Sequence, residues 1–253
     1  MHIQVAGLGA LPALAAMLYF DRLDAKRPEP RGALRRVAIA GALSVIPVAI
    51  IELILAKFTP TSSVYAAAAW SGFVVAGLTE EVAKALCVLL FVYHRPEFDE
   101  RFDGITYATR AGLGFALVEN VFYLLQQDTA QGFLVTFGLR AILAIPLHAT
   151  SAAMMGHALA IRRFDGRGAG LLGGLFWAIL LHGAYDTAIF CVAPAHLEGN
   201  DALALGLLAV PLVSVLAGVI AVRRMAKTAH ALDDADPRVA MAHVRQAQAA
   251  PPL

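Results

Sequence analysis

Residues 66–93 read AAAAWSGFVVAGLTEEVAKALCVLLFVY, and this stretch decides the fold class. At about 1.5 Å per helical residue, it is long enough to cross a hydrocarbon core of roughly 30 Å. Three ionisable residues, Glu80, Glu81 and Lys84, interrupt it near the middle. A charge at that depth costs at least ~2.5–3.5 kcal/mol on membrane-insertion scales, so these residues need partners or a function.

The spacing of the three charges suggests how they share the cost. On a helix, Glu80 and Lys84 lie one turn apart on one face, whereas Glu81 is rotated by about 100° from Glu80. One acid can therefore pair with the lysine while the other stays free to act. We interpret Lys84 as the counter-ion of the acids.

The amino-acid composition indicates a membrane protein. Its 253 residues are 59% hydrophobic and 15% charged, and the mean hydropathy is +0.67. Soluble proteins have about 45–50% apolar and about 25% charged residues. We predict an all-α polytopic membrane protein with about seven transmembrane helices. The predicted spans are residues 3–20, 37–56, 66–93, 105–125, 134–161, 169–192 and 202–222. The first span lacks a cationic n-region, which indicates a retained helix and not a signal peptide.

The basic residues predict the orientation. They gather at alternate ends of the spans, in residues 22–36, 95–101, 162–167 and 223–227, and the opposite ends offer little beyond Lys57 and Arg140. By the positive-inside rule, we expect an extracytoplasmic amino terminus and a cytoplasmic carboxyl terminus in the cell membrane.

The chain divides into a membrane domain and a short tail. We predict a transmembrane domain over residues 1–225, with a motif-bearing core at about 66–192. We expect a cytoplasmic tail over 226–253, either a short helix or a flexible end. Rossmann, P-loop and nucleic-acid motifs are absent, so we expect membrane lipid and no nucleic acid as partners. Cys87 and Cys191 fall towards opposite membrane sides, which argues against a disulfide.

Further polar residues lie inside the later spans. Depths inferred from the topology place Glu80, His148 and His182 near mid-membrane, with Glu119 and Asp186 closer to the outside. His182 and Asp186 lie one turn apart on one face. We therefore predict an active site within helices three to six. We interpret two other residues, Glu52 and His157, as structural.

This set of groups supports hydrolysis by activated water. Carboxylates and imidazoles act as general bases, and a protonated partner can stabilise an oxyanion. Asp186 is placed to orient His182. Ser151 lies on a similar face to His148, but intramembrane serines often bond to helix backbone, so we do not expect it to be a nucleophile. The same residue types also suit a divalent metal such as Zn²⁺, which would have to collect ligands from several helices because HExxH is absent.

Four motifs in order resemble the PrsW family of intramembrane proteases, which is related to the CAAX prenyl endopeptidases and the wider CPBP group. They are Glu80-Glu81-x-x-Lys84, Phe115-x-x-x-Glu119-Asn120, His148 followed by Gly156, and His182-x-x-x-Asp186. The chain departs from the CAAX pattern by carrying Glu119 in place of histidine, lysine in place of arginine, and Asp186 at the Asn/acidic place. These departures favour PrsW over prenyl-protein processing.

The resemblance implies an endopeptidase that cuts a peptide bond in or near a membrane segment. In this family the expected substrate is a single-pass anti-sigma factor, cut during envelope stress. Glu80 or Glu81 would be the water-activating base, His182 held by Asp186 and His148 would position water or stabilise the oxyanion, and Glu119 would be a second acid. Lys84 and Asn120 would be supporting residues. The family is described both as metalloprotease-like and as glutamate-type, and a metal would take ligands from Glu81, Glu119, His148 and His182.

Two other classes of function fit the same polar cluster. A proton-coupled transporter or channel uses intramembrane acids and histidines as a relay. No inverted repeat and no matched pair of Gly- or Pro-broken helices is visible, which argues against this class. A non-catalytic membrane scaffold with the same fold is the third class.

Overall fold

The computed structural model describes residues 2–241, and the side chains of residues 7–241. All regular structure in this range is helical. The α-helices, in chain order, are α1 (His2–Leu23), α2 (Arg31–Leu55), α3 (Val64–Ala69), α4 (Thr79–Phe91), α5 (Phe102–Leu125), α6 (Ala130–Leu139), α7 (Ile145–Asp165), α8 (Gly170–Leu197) and α9 (Asp201–Asp234).

Two pairs of these helices are joined without a break by π-helical segments. Trp70–Leu78 joins α3 to α4, and Arg140–Ala144 joins α6 to α7. A short 3₁₀ turn, Ala56–Phe58, extends α2. The resulting continuous helical segments overlap each of the predicted spans.

Four of the segments in the described range are long and apolar enough to cross a membrane by length and composition. They are Arg31–Phe58, Ala130–Asp165, Gly170–Leu197 and Asp201–Asp234. Large apolar side chains also cover the outer face of the bundle. On α2, for example, Leu43, Ile46 and Leu53 are 60–70% exposed. A soluble protein rarely exposes such a continuous apolar face, so the protein is an α-helical membrane protein. The count of seven spans stays a prediction.

Helix α5 lies at the centre and packs against α1, α2 and α7. Small residues allow the close approach. A Cβ atom on Gly156 of α7 would lie 1.9 Å from the carbonyl oxygen of Gly104 on α5. On the other side, a Cβ on Gly41 of α2 would lie 2.1 Å from the carbonyl oxygen of Ala111. Any larger side chain at either glycine would push these helices apart.

Helix α9 continues past the boundary that we predicted at residue 225. Its last turn carries Asp233, which accepts hydrogen bonds from the backbone amides of Arg101 and Phe102, both at 3.0 Å. These amides lie at the start of α5, where helix amides lack intrahelical partners. The tail is thus helical and packed as far as Asp234, whereas residues 242–253 lie outside the described residues.

Cys87 and Cys191 are both free.

The same end of the bundle holds a group of ion pairs that we call the Arg101 clamp. The Arg101 guanidinium lies 2.5 Å from Asp165 of α7, 2.9 Å from Asp233 of α9 and 3.1 Å from Asp236. The Arg101 side chain is only 5% exposed. The clamp therefore ties three helix ends together: α5, α7 and α9.

Candidate active site

Helices α4, α5, α7 and α8 bring their ionisable residues together, and Lys84 lies at the centre of the group. Its Nζ is 2.7 Å from Glu81 Oε1, 3.4 Å from Glu80 Oε2 and 2.8 Å from His148 Nδ1. We call Glu80, Glu81, Lys84, His148 and His182 the Glu80 cluster. All five are buried, and Lys84 contacts both acids as the expected counter-ion.

The π-helical segments help to place these side chains. One segment ends immediately before α4, which carries the acids, and the other ends immediately before α7, which carries His148. Such wide turns rotate the residues that follow and often occur at functional sites. Gly72 in the first segment lets α8 approach closely, because a Cβ there would lie 2.3 Å from Thr187 Oγ1. This approach brings His182 of α8 against the acids of α4.

Glu81 is fully enclosed and holds its neighbours in place. Its Oε1 accepts hydrogen bonds from Lys84 and from Ser151 Oγ, the latter at 3.0 Å, and lies 2.8 Å from His182 Nδ1. A carboxylate accepts hydrogen bonds, so we assign the His182 proton to Nδ1. His182 Nε2 lies 3.3 Å from Asp186 Oδ2 and 3.8 Å from Glu80 Oε2, so it donates to Asp186 when the ring carries both protons and has a free lone pair when the ring is neutral.

His148 is engaged through both ring nitrogens. An ammonium can only donate, so Lys84 donates to Nδ1 and the ring proton lies on Nε2. Nε2 then donates to Glu119 Oε2 at 2.9 Å. His148 Nδ1 also lies 3.6 Å from Glu80 Oε2. Lys84 and Glu119 together fix the orientation of this ring.

A cavity of about 510 Å³ opens beside these residues. Aromatic side chains form much of its wall, and Glu52 of α2 lies on the same wall. Five of the six residues predicted to be catalytic line it: Glu80, Glu119, His148, His182 and Asp186. Glu81 does not reach the cavity. The predicted residues are therefore together, but they divide into a group that faces the cavity and one acid that lies behind it.

The donor atoms of Glu80, His148 and His182 fit a metal ion. They all lie within 4.8 Å of one another, and all three residues are buried. Two imidazoles and one carboxylate form a donor set that zinc enzymes use with a fourth position open. Both nitrogens of His148 have partners, so binding there requires one partner to leave.

The predicted ligand set was different, because it contained Glu81 and Glu119. In the structure each of these acids contacts a ring nitrogen of a histidine, as outer carboxylates do around metal sites. The carboxylate that joins His148 and His182 as a possible ligand is that of Glu80, and not that of Glu81 or Glu119.

Arg140 belongs to the site but is not among the site residues predicted from the sequence. Its Nη2 lies 2.7 Å from Glu119 Oε2, its Nε donates to Asn120 Oδ1 at 2.8 Å, and its guanidinium covers the Tyr123 ring at 4.0 Å. The Asn120 amide in turn donates to the carbonyl oxygen of Gly9 on α1 at 2.6 Å. Arg140 lies inside the predicted span 134–161, and a charge in that position was the signal that could have revealed it.

Comparison with known proteins identifies the family. Residues 29–220 match the family model described as PrsW family intramembrane metalloprotease. The chain is 35% identical to the protease PrsW of Geobacillus kaustophilus over 180 residues, which cover 70% of this chain and 76% of that protein. It is 32% identical to the Clostridioides difficile PrsW, over 74% and 79% of the two chains. The Bacillus subtilis PrsW is 31% identical, over 72% and 81%. No solved structure matches the chain. The chain therefore belongs to the PrsW family and is an intramembrane protease.

Proposed function

We propose that the 510 Å³ cavity is the active site and that its residues hydrolyse a peptide bond in or next to the membrane segment of a single-pass protein. An anti-sigma factor is the substrate that the family resemblance suggests. The observation that carries this proposal is the convergence of Glu80, His148 and His182, all buried, on a cavity among membrane-embedded helices.

In a reaction without metal, Glu80 is a better candidate than Glu81 for the water-activating base. A general base must reach the proton that it removes, and Glu80 lines the cavity whereas Glu81 does not. Glu80 Oε2 lies 3.6 Å from His148 Nδ1 and 3.8 Å from His182 Nε2, which is too far for a hydrogen bond to either imidazole. Glu81 is instead a positioning residue, since it directs His182 Nε2 towards the cavity.

Glu80, His148 and His182 would hold the metal that the family description implies. A bound Zn²⁺ would polarise the substrate carbonyl and lower the pKa of water. With Glu80 occupied as a ligand, the carboxylates left to take up a proton at the cavity are Glu119 and Asp186. Arg140 keeps Glu119 directed at His148, so it acts on the reaction through Glu119.

We further propose that all seven helical segments cross the membrane, with the amino terminus outside and the carboxyl terminus in the cytoplasm. The alternating basic ends support this orientation. In this arrangement the membrane domain ends near residue 225, the core at about 66–192 carries the site, and the end of α9 projects into the cytoplasm. The polar wall of the cavity admits water from the outer half.

A cleavage assay with metal analysis tests the proposal. The purified full chain in liposomes should cut a single-pass substrate, and His182→Gln should abolish cleavage. His157→Gln is the matched control, because His157 is also a histidine on a buried helix but does not line the cavity. Zinc bound to the wild type and lost in His182→Gln would support the metal-dependent reaction, and full activity in metal-free protein would support the glutamate base. Proton flux without cleavage would support a transporter and contradict the proposal.

A further inference from the structure

A second cavity lies between α1, α7 and α9, away from the active site. Its volume is about 320 Å³, and it shares no lining residue with the larger cavity. Small and apolar side chains form it, among them Ala16 of α1, Ala149 of α7 and Val219 of α9. We call it the α1–α9 groove. None of the residues assigned to catalysis faces it.

The floor of the groove offers no free hydrogen-bonding group to water or to a polar ligand. Thr150 lines it, but its hydroxyl already donates to the carbonyl oxygen of Pro146 at 2.8 Å, within α7. A polar ligand placed there would lose hydrogen bonds without replacement. The floor therefore suits a hydrocarbon chain.

One end of the groove is basic. Arg223 lines it and is exposed, and Arg224 and Lys227 lie on the same helix within a turn or so. Within residues 2–241, none of the three pairs with a carboxylate. The nearby acids on α1 are not available either, because Asp21 is bound by Arg110 and Asp24 is buried. Basic pockets between membrane helices bind anionic lipid headgroups.

The apolar floor and the basic end of the groove match the two parts of an anionic lipid. We propose that the α1–α9 groove binds one acyl chain of an anionic glycerophospholipid, whose phosphate contacts Arg223. Tyr19, which lines the same end and is 45% exposed, is of the type that marks the lipid–water interface.

Native mass spectrometry of the purified full chain tests this site without any protease substrate. The protein is mixed with phosphatidylglycerol and phosphatidylcholine of identical acyl chains. Wild type should retain one phosphatidylglycerol in preference to phosphatidylcholine. Arg223→Gln should reduce that preference about fivefold, which corresponds to one basic residue near an anionic surface. Arg95→Gln is the matched control, because Arg95 is an exposed arginine between α4 and α5 that does not line the groove, and it should stay close to wild type.

A second pair of variants tests the groove itself. Ala16→Phe should fill it and remove the retained lipid, whereas Ala15→Phe, on the exposed face of α1, should not. Thermal unfolding identifies any variant that fails to fold, and the surface substitution Arg223→Gln keeps the test valid if Ala16→Phe does. Unchanged lipid preference in Arg223→Gln overturns the proposal. So does disulfide cross-linking of Val219→Cys to a second copy, which would show that protein and not lipid occupies the groove.

Discussion

The Glu80 cluster and the Arg101 clamp both bury carboxylates against cations, yet they are built for different purposes. The clamp surrounds an arginine, which stays protonated in proteins, and it joins helix ends. The Glu80 cluster uses a lysine and two imidazoles, and imidazoles can both accept and donate protons. The cluster also borders a cavity of about 510 Å³. Buried charge alone thus does not mark a reactive site. Exchangeable protons and space for a substrate do.

Removing the lysine should break the Glu80 cluster most severely. Lys84→Met leaves Glu81 as a buried acid without its cation, and breaking one partner of a buried pair costs about 3–5 kcal/mol. Thermal unfolding in detergent should show this loss. The double variant Lys84→Met/Glu81→Gln should recover part of it, and equal instability of both variants would argue that the lysine contributes packing and not charge.

Neutralising Glu80 should abolish function while the fold survives. General acid–base catalysis contributes about 100- to 10,000-fold, so Glu80→Gln should slow cleavage at least about 100-fold. Glu52→Gln is the matched control, since Glu52 lies on the same cavity wall without contacting either imidazole. A wild-type cleavage rate in Glu80→Gln would contradict both roles proposed for Glu80, as the base without metal and as a metal ligand.

A substitution in the Arg101 clamp should have the opposite effect: it should lower the stability of the fold and leave the cleavage rate unchanged. Asp233→Asn weakens the bonds to the Arg101 guanidinium and to the first amides of α5, so we expect a loss of about 1–3 kcal/mol. Cleavage per folded molecule should not change. The exposed pair of Lys26 and Asp234 offers a control at the same end, because Lys26→Gln should leave the unfolding temperature unaltered.

Acids next to the clamp should make stability depend on pH. Burial, followed by the charges of Glu29 and Glu100, raises the pKa of Asp24 to about 8, although Thr106 and Arg27 partly oppose this. Burial likewise raises the pKa of Glu100 to about 8. Since the folded state binds more protons than the unfolded state between the ordinary pKa and pH 8, stability should fall as the pH rises through this window and level off above it.

The measurement is the unfolding temperature at steps from pH 5 to pH 9. Asp24→Asn should flatten the curve, because the neutral amide cannot lose a proton. A curve for Asp24→Asn as steep as that of the wild type would assign the pH dependence to other groups.

Much of this arrangement was visible in the sequence, because charges in apolar helices are costly and therefore informative. Glu80, Glu119, His148, His182 and Asp186 could be grouped from their membrane depth alone. The different environments of Glu80 and Glu81 could not be predicted from the sequence. They are adjacent in sequence, and only the packing of α8 against the π-helical segment shows which one reaches the cavity.

The role of Arg140 was hidden for a related reason. Its partners Glu119 and Asn120 lie on a different helix, and sequence spacing does not predict contacts between helices. The extension of α9 to Asp234 depends likewise on a distant contact, with the start of α5. Alanine-rich composition alone could not distinguish it from a flexible end.

The π-helical segments also limit how this chain can change in length. A π turn holds one residue more than an α turn, so deleting one residue from Trp70–Leu78 can leave a continuous α-helix. That deletion would leave the acids of α4 nearly in place, whereas a second deletion, in what is then a regular α-helix, would rotate them by about 100° relative to α3. Glu80 and Glu81 would remain in the sequence, but their side chains would no longer face their present partners. The number of residues before the acids is therefore part of the site, and the π-helical segment is where the chain can lose one residue and keep that site.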